Sequence, residues 1–362
     1  MIPELVDPLR TSTGPSEPVP PWLESTWQRL MNAHRQARLG QALILSGPLG
    51  IGKRLLADHL AQLLLCTAAK VDERPCGTCA DCTLSAAGHH PDRFVLAPDA
   101  EGASGEIRAE QVRQLCTREV LTPMRGSTKV LVVVPADAMN LFASNSLLKT
   151  LEEPADSTVW MLITERPQRL SQTIRSRCQQ ISLTAPQAEQ VLPWLKARLA
   201  QVPTKANAKG DVDASWSSER AEQSLALAQG APFRALSLAE NGALELRQGL
   251  LDAIIGVARG ELDPLAVAND WQRLEPSAAL AAMIDGLTDL LRLSVDATGT
   301  RMINLGARRS IATLVERIEP AAGHRLLQML LQARASIDAP VNKQILFEAL
   351  LVRWARLAKA RA

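Results

Sequence analysis

Residues 47–53 have the sequence GPLGIGK, which is the spacing of glycines and lysine in a phosphate-binding loop. The apolar residues 43–45 before it predict a buried strand, and residues 55–66 after it carry apolar side chains at helical intervals. Strand, loop and helix in this order let backbone N–H groups face the phosphates of a nucleotide. The sequence therefore predicts a nucleotide-binding loop, and the residues that would contact phosphate are Gly47, Gly50, Gly52 and Lys53.

Two parts of an ATP-hydrolysing site are missing around this loop. The position after the lysine should be Ser or Thr, whose hydroxyl holds Mg²⁺, and the chain has Arg54 there. The apolar run 129–134 predicts a central strand that should end in an acidic pair, but Pro135 follows its last residue. Asp137 lies two to three residues beyond the expected place, and we expect a loop or helix-capping role for it. The residues therefore predict no hydrolysis here and leave open whether ATP still binds.

Four of the six cysteines are clustered directly after the predicted loop helix, and these are Cys66, Cys76, Cys79 and Cys82. Four thiolates this close in sequence can surround one zinc ion tetrahedrally, which leaves no open position for catalysis. An iron–sulfur cluster uses similar C-x2-C-x2-C runs, but its fourth cysteine usually lies downstream with a proline, and here Thr83 follows. A redox dithiol is the remaining alternative, and we interpret His89 and His90 as ordinary loop residues. The sequence therefore predicts a structural zinc ion.

The overall composition argues against several other classes of protein. The 362 residues carry 40 basic and 38 acidic side chains, so no strong global field favours nucleic acid or a membrane. Tyrosine is absent and only four phenylalanines occur, which leaves few platforms for stacking single-stranded bases. No apolar run approaches the roughly 18 residues of a membrane span, and the start of the chain does not resemble a signal peptide. We therefore expect a cytoplasmic protein without a membrane partner.

Alternation of strands and helices over residues 20–184 predicts an α/β domain with a doubly wound parallel sheet. Thr164, at the end of a predicted strand, is well placed to face the glycine loop. The last helix is apolar around much of its circumference, which is typical either of packing against other subunits or of burial in its own bundle. The predicted organisation is a flexible tail at 1–19, the α/β domain at 20–184 with the zinc module at 66–82, a small helical lid at 185–242 with a polar loop at 205–217, and an all-α bundle at 243–362.

The glycine loop, the cysteine insert, the sequence LLKTLEEP at 147–154 and the sequence SRC at 176–178 together resemble the AAA+ subunits of bacterial clamp loaders. The resemblance covers about residues 20–362 and implies a P-loop domain, a lid and a C-terminal oligomerisation (collar) domain. It also implies assembly with the gamma/tau and delta subunits of a DNA polymerase III clamp loader, in a complex that acts on a sliding clamp and primed DNA.

Because of Arg54 and Pro135, the chain is most similar to a non-hydrolysing member of this family. The main alternative is an ATP-hydrolysing motor subunit of the gamma/tau type. A zinc-ribbon DNA-binding protein with a decayed ATPase domain is a further alternative from another class.

The resemblance also implies roles for two arginines. Arg177, in the SRC sequence, would reach into the ATP site of a neighbouring subunit as an arginine finger in trans. A salt bridge that holds the edge of the sheet is the alternative role for this residue, and Arg175 is a less favoured candidate for the finger. Arg234, at the start of the third lid helix, is the candidate for a sensor arginine that contacts nucleotide.

Overall fold

The computed structural model describes residues 18–99, 105–201, 218–296, 302–337 and 342–359. The chain divides into two compact units, residues 1–191 and 192–362. Most of the predicted tail and the predicted polar loop at 205–217 lie outside the described residues. The finer division into an α/β domain, a lid and a collar stays a prediction.

The first unit is a parallel sheet with helices around it. Its elements in chain order are α1 (Pro21–Arg35), β1 (Ala42–Ser46), α2 (Lys53–Leu65), α3 (Ala80–Ala86), β2 (Arg93–Leu96), α4 (Ala109–Glu119), β3 (Lys129–Val133), α5 (Leu141–Glu152), β4 (Thr158–Thr164), α6 (Gln172–Arg177) and β5 (Gln179–Ser182). The strand order is β2-β3-β4-β1-β5, and every neighbouring pair is parallel. The predicted parallel α/β sheet is confirmed.

Burial explains why the central strands form. Every residue of β1, β3 and β4 is buried, as expected for strands that helices cover on both faces. Ser46 pairs with Thr164, so the carboxyl ends of β1 and β4 lie side by side where the glycine loop begins. Ligands of open α/β sheets bind outside the carboxyl ends of such strands.

Two local features differ from the sequence prediction. The first is the start of the edge strand β5 at Gln179, two residues after the end of α6 at Arg177. Three of the four residues of this edge strand are exposed, so it lacks the apolar pattern that predicts a strand. The helix α3 was not predicted either, and Cys79 forms its N-cap by accepting a hydrogen bond from the backbone of Cys82.

From residue 188 onward every described element with regular hydrogen bonding is a helix. These are α7 (Ala188–Leu199), α8 (Ser218–Leu227), α9 (Pro232–Glu240), α10 (Ala243–Arg259), α11 (Pro264–Trp271), α12 (Pro276–Val295), α13 (Arg308–Val315), α14 (Pro320–Ala335) and α15 (Lys343–Lys359). The indole of Trp354 in α15 is buried and donates a 2.8 Å hydrogen bond to Ile254 O in α10. This contact agrees with burial of the last helix in its own bundle. Among the described residues, none of the helices combines the length and the apolar character that crossing a bilayer requires.

Candidate functional site

The glycine loop joins β1 to α2, as the sequence predicted. Gly47, Gly50 and Gly52 have φ angles of 151°, 77° and 100°, in the region that residues with a side chain rarely adopt. At Gly47 a Cβ atom would also lie 2.3 Å from the carbonyl oxygen of Leu183, so no larger residue fits there without a shift of the backbone. The spacing of glycines therefore preserves the shape of a phosphate-binding loop.

Lys53 is buried and holds this loop from inside. Its ammonium donates hydrogen bonds of 2.8 Å to Gly47 O and 2.6 Å to Pro48 O. Burial lowers the pKa of Lys53, and the nearby carboxylates of Glu165 and Asp137 oppose that shift. One donor of this ammonium remains for a phosphate oxygen, because an ammonium has three donors.

Arg54 takes part in an ion-pair cluster along the side of α2. Its Nε donates a 3.1 Å hydrogen bond to Asp58 Oδ1, and Arg93 of β2 forms an ion pair with the same carboxylate. A guanidinium therefore stands where an ATPase has the hydroxyl that ligates Mg²⁺. A cation cannot take over that role.

Asp137 lies in a short 3₁₀ turn after β3. Its Oδ1 accepts a 2.7 Å hydrogen bond from the Thr164 hydroxyl and a 3.3 Å bond from the backbone N–H of Glu165. Thr164 is adjacent to the glycine loop, because its carbonyl oxygen accepts a hydrogen bond from the N–H of Gly47. Asp137 thus connects this turn to the end of β4 and caps no helix. Glu165, which the sequence analysis did not select, is a second carboxylate beside Lys53.

Arg177 lies at the opposite end of the strands, just before the start of β5. It precedes β5, in which Gln179 pairs with Leu43, whereas the glycine loop begins after Ser46. With a rise of about 3.3 Å per residue, Leu43 and Gly47 are about 13 Å apart along the strand. Arg177 is therefore separated by the length of β1 from the glycine loop of its own chain.

The guanidinium of Arg177 has two partners among the described residues. Its Nη2 forms an ion pair with Glu152, and its Nη1 donates a 3.1 Å hydrogen bond to Thr173 O. The side chain is 32% exposed. Arg175 is half-buried, and its Nε atom has no hydrogen-bond partner in the described parts of the chain. Arg234 belongs to the second unit, where it is exposed on the first turn of α9.

The four clustered cysteines converge on one point. Their sulfur atoms all lie within 4.8 Å of one another, and this group of possible metal ligands, within the described part of the chain, includes no histidine. Cys66 Sγ lies 3.7 Å from Cys76 Sγ and 3.9 Å from Cys79 Sγ, and Cys76 Sγ lies 4.0 Å from Cys82 Sγ. Tetrahedral zinc with Zn–S bonds of about 2.3 Å requires sulfurs about 3.8 Å apart. The cluster can therefore hold a metal ion.

Backbone N–H groups donate hydrogen bonds to these sulfur atoms, and such bonds favour the thiolate form that binds a cation. The N–H of Cys79 lies 3.3 Å from Cys76 Sγ, and that of Cys82 lies 3.4 Å from Cys79 Sγ. Hydrogen bonds from the backbones of Thr78 and Cys79 lower the pKa of the Cys76 thiol to about 6. Burial has the opposite effect on Cys82, whose thiol pKa it raises. A bound cation would favour the thiolate form of all four side chains.

Asp81 anchors the cysteine module to the rest of the first unit. Its carboxylate accepts a 2.6 Å hydrogen bond from the Thr67 hydroxyl and forms an ion pair with Arg125. His90 Nε2 lies 3.4 Å from the same carboxylate, so this histidine faces Asp81 and not the sulfur atoms. The Asp92 carboxylate accepts hydrogen bonds from the backbone N–H groups of Met124 and Arg125, and so fixes the segment that carries Arg125. The sequence does not reveal these anchors, because their partners lie far away in the chain.

The parallel sheet with its glycine loop between β1 and α2, followed by a helical second unit, defines a P-loop protein of the α/β class. Residues 22–187 match the family described as DNA polymerase III, delta subunit, and residues 241–356 match DNA polymerase III, delta subunit, C terminal. The chain belongs to the delta-prime family of DNA polymerase III subunits, since it is 36% identical to the delta-prime subunit of Pseudomonas aeruginosa over 93% of this chain and 97% of that one. The resemblance seen in the sequence motifs is thereby confirmed.

Two further relatives come from Escherichia coli. The delta-prime subunit is 27% identical over 92% of this chain and 94% of its own length. The tau subunit is 29% identical over 89% of this chain but only 48% of its own length.

Proposed function

We propose that this chain is a non-hydrolysing subunit of a DNA polymerase III clamp loader and that Arg177 completes the ATP site of a neighbouring subunit. In this proposal the chain assembles with gamma/tau motor subunits and a delta subunit. The complex then opens a sliding clamp and loads it on primed DNA. Membership of the delta-prime family supports the assembly with other DNA polymerase III subunits.

The observation that carries the proposal is the position of Arg177. It lies at the amino end of β5, whereas the glycine loop of its own chain lies at the carboxyl end of the neighbouring β1, and its side chain is partly exposed. An arginine suits this role because it is always charged and presents several donors to phosphate oxygens. Arginine fingers of this kind are worth about 10³–10⁵ in the rate of phosphoryl transfer.

The glycine loop supports the non-hydrolysing part of the proposal. Phosphoryl transfer depends almost wholly on positioning and electrostatics, so each missing metal ligand is a severe loss. Here Arg54 pairs with Asp58 at one ligand position, and Pro135 follows the strand where the acidic pair would begin. These replacements count against the alternative of a gamma/tau-like motor. Lys53 and Thr164 are then remnants of a nucleotide site.

We further propose that the metal of the cysteine cluster is structural zinc. Four sulfur ligands fill a tetrahedral zinc site and leave no position for substrate. The cluster joins the end of α2, through Cys66, to the start of α3, through Cys79 and Cys82. A bound ion would therefore hold the intervening loop and α3 against α2.

The test is ATP turnover by a complex reconstituted with its motor and delta subunits. We expect Arg177→Ala to leave assembly intact and to lower total turnover by the share of the affected site, because that site slows about 10³–10⁵-fold while other sites continue. Arg169→Ala is the matched control, since Arg169 is also an exposed arginine of this domain. Unchanged turnover with Arg177→Ala would overturn the proposal, and an equal loss with Arg175→Ala would transfer the role to that residue.

A further inference from the structure

The ion pair between Glu152 and Arg177 joins the last residues of two helices. Glu152 ends α5 and Arg177 ends α6, and the two residues are 25 positions apart in the chain. The side chain of Glu152 is 47% exposed and that of Arg177 is 32% exposed, so both face solvent in part. The pair therefore lies on the surface from which Arg177 would reach a neighbouring subunit.

The contacts of Arg177 use only part of its hydrogen-bonding capacity. A guanidinium has five N–H donors, and those of Arg177 meet two acceptors among the described residues, Glu152 and Thr173 O. These acceptors hold the side chain in one orientation. Donors remain for the oxygens of a phosphate group.

We infer that Glu152 is a positioning residue for Arg177, an inference that rests on the proposed function of Arg177 as a finger. Arginine loses considerable rotamer freedom when it is ordered, and a side chain that is already held loses less on meeting its target. Glu152 thus orders the guanidinium before the neighbouring ATP arrives. Catalysis in that site benefits because the positive charge is already in place.

The opposite role, in which Glu152 holds Arg177 away from ATP, requires a stronger contact. Exposed ion pairs typically shift an equilibrium by less than about fivefold. Such a pair cannot withhold a guanidinium from the several negative charges of a triphosphate. It is strong enough to favour one rotamer over others.

The experiment measures the steady-state ATPase of the reconstituted complex, with kcat and KM for ATP determined separately. We expect Glu152→Ala to lower kcat to a value between those of wild type and Arg177→Ala, with little change in KM. Glu152→Gln keeps an acceptor for the guanidinium and should recover part of the loss. In the Arg177→Ala background, Glu152→Ala should cause no further loss, because its effect acts through the arginine.

The control is Glu153→Ala, which removes the same charge from the next, also exposed residue and should leave kcat unchanged. Assembly and thermal melting of each variant are measured alongside. If Arg177→Ala has no effect, the proposed function fails. If Arg177→Ala lowers kcat but Glu152→Ala leaves kcat unchanged or raises it, the inference about Glu152 fails and the function of Arg177 stands. The same conclusion follows if Glu152→Ala lowers kcat equally in the wild-type and Arg177→Ala backgrounds.

Discussion

The indole Nε1–H of Trp22, in α1, donates a 2.9 Å hydrogen bond to the carbonyl oxygen of Ile51 in the glycine loop. On the inner side of the same loop, Lys53 donates to the carbonyl oxygens of Gly47 and Pro48. Groups of this chain thus hold the loop from two sides. This arrangement agrees with a loop retained for its shape.

The first prediction concerns that loop. We expect Lys53→Ala to leave the steady-state ATP turnover of the reconstituted complex unchanged, because Arg54 and the strand end at Val133 provide no ligands for Mg²⁺. Arg177→Ala in the same assay shows that a loss can be detected. A drop in turnover with Lys53→Ala, in a variant that still assembles, would favour the motor alternative instead.

The second prediction concerns the cysteine cluster. The purified chain should contain about one zinc ion, and Cys79→Ser should lose the metal and destabilise the first unit by more than the ~1 kcal/mol of an average substitution. Metal analysis and thermal melting measure both effects, and amide hydrogen exchange should rise in residues 66–86. Cys116→Ser, outside the cluster, is the matched control. A metal-free chain that melts like the wild type would rule out structural zinc.

The third prediction concerns the pH dependence of stability. His34 in α1 is half-buried, and its Nε2 has no hydrogen-bond partner within the described residues. Burial lowers the pKa of His34, and the charges of Arg74 and Arg35 lower it further. Below the unfolded-state value of about 6.5 the unfolded chain therefore binds a proton more readily than the folded chain. The free energy of unfolding should fall as the pH decreases through this range.

Denaturant unfolding between about pH 7.5 and 5.5 tests this expectation. His34→Gln cannot be protonated and should reduce the loss of stability on acidification. His324→Gln changes an exposed histidine of α14 and serves as the control. Identical pH profiles for wild type and His34→Gln would show that this histidine does not contribute.

The sequence by itself determined the features that depend on near neighbours in the chain. The glycine loop needs residues without side chains at set intervals, and both its predicted strand and its predicted helix are present. The cysteines span only 17 positions, so their convergence follows from spacing alone. The buried strands were also predictable, because a strand covered on both faces must be apolar throughout.

Only the tertiary structure decided which polar groups meet. Glu152 pairs with Arg177, Thr164 bonds to Asp137 and Asp81 pairs with Arg125, across separations of 25, 27 and 44 residues. Sequence periodicity does not predict such pairs, because a charged or polar side chain can pair with any partner that the folded chain brings within reach. The parallel pairing of β1 and β5 separates the glycine loop from Arg177, since it places the loop at the carboxyl ends of these strands and Arg177 at their amino ends.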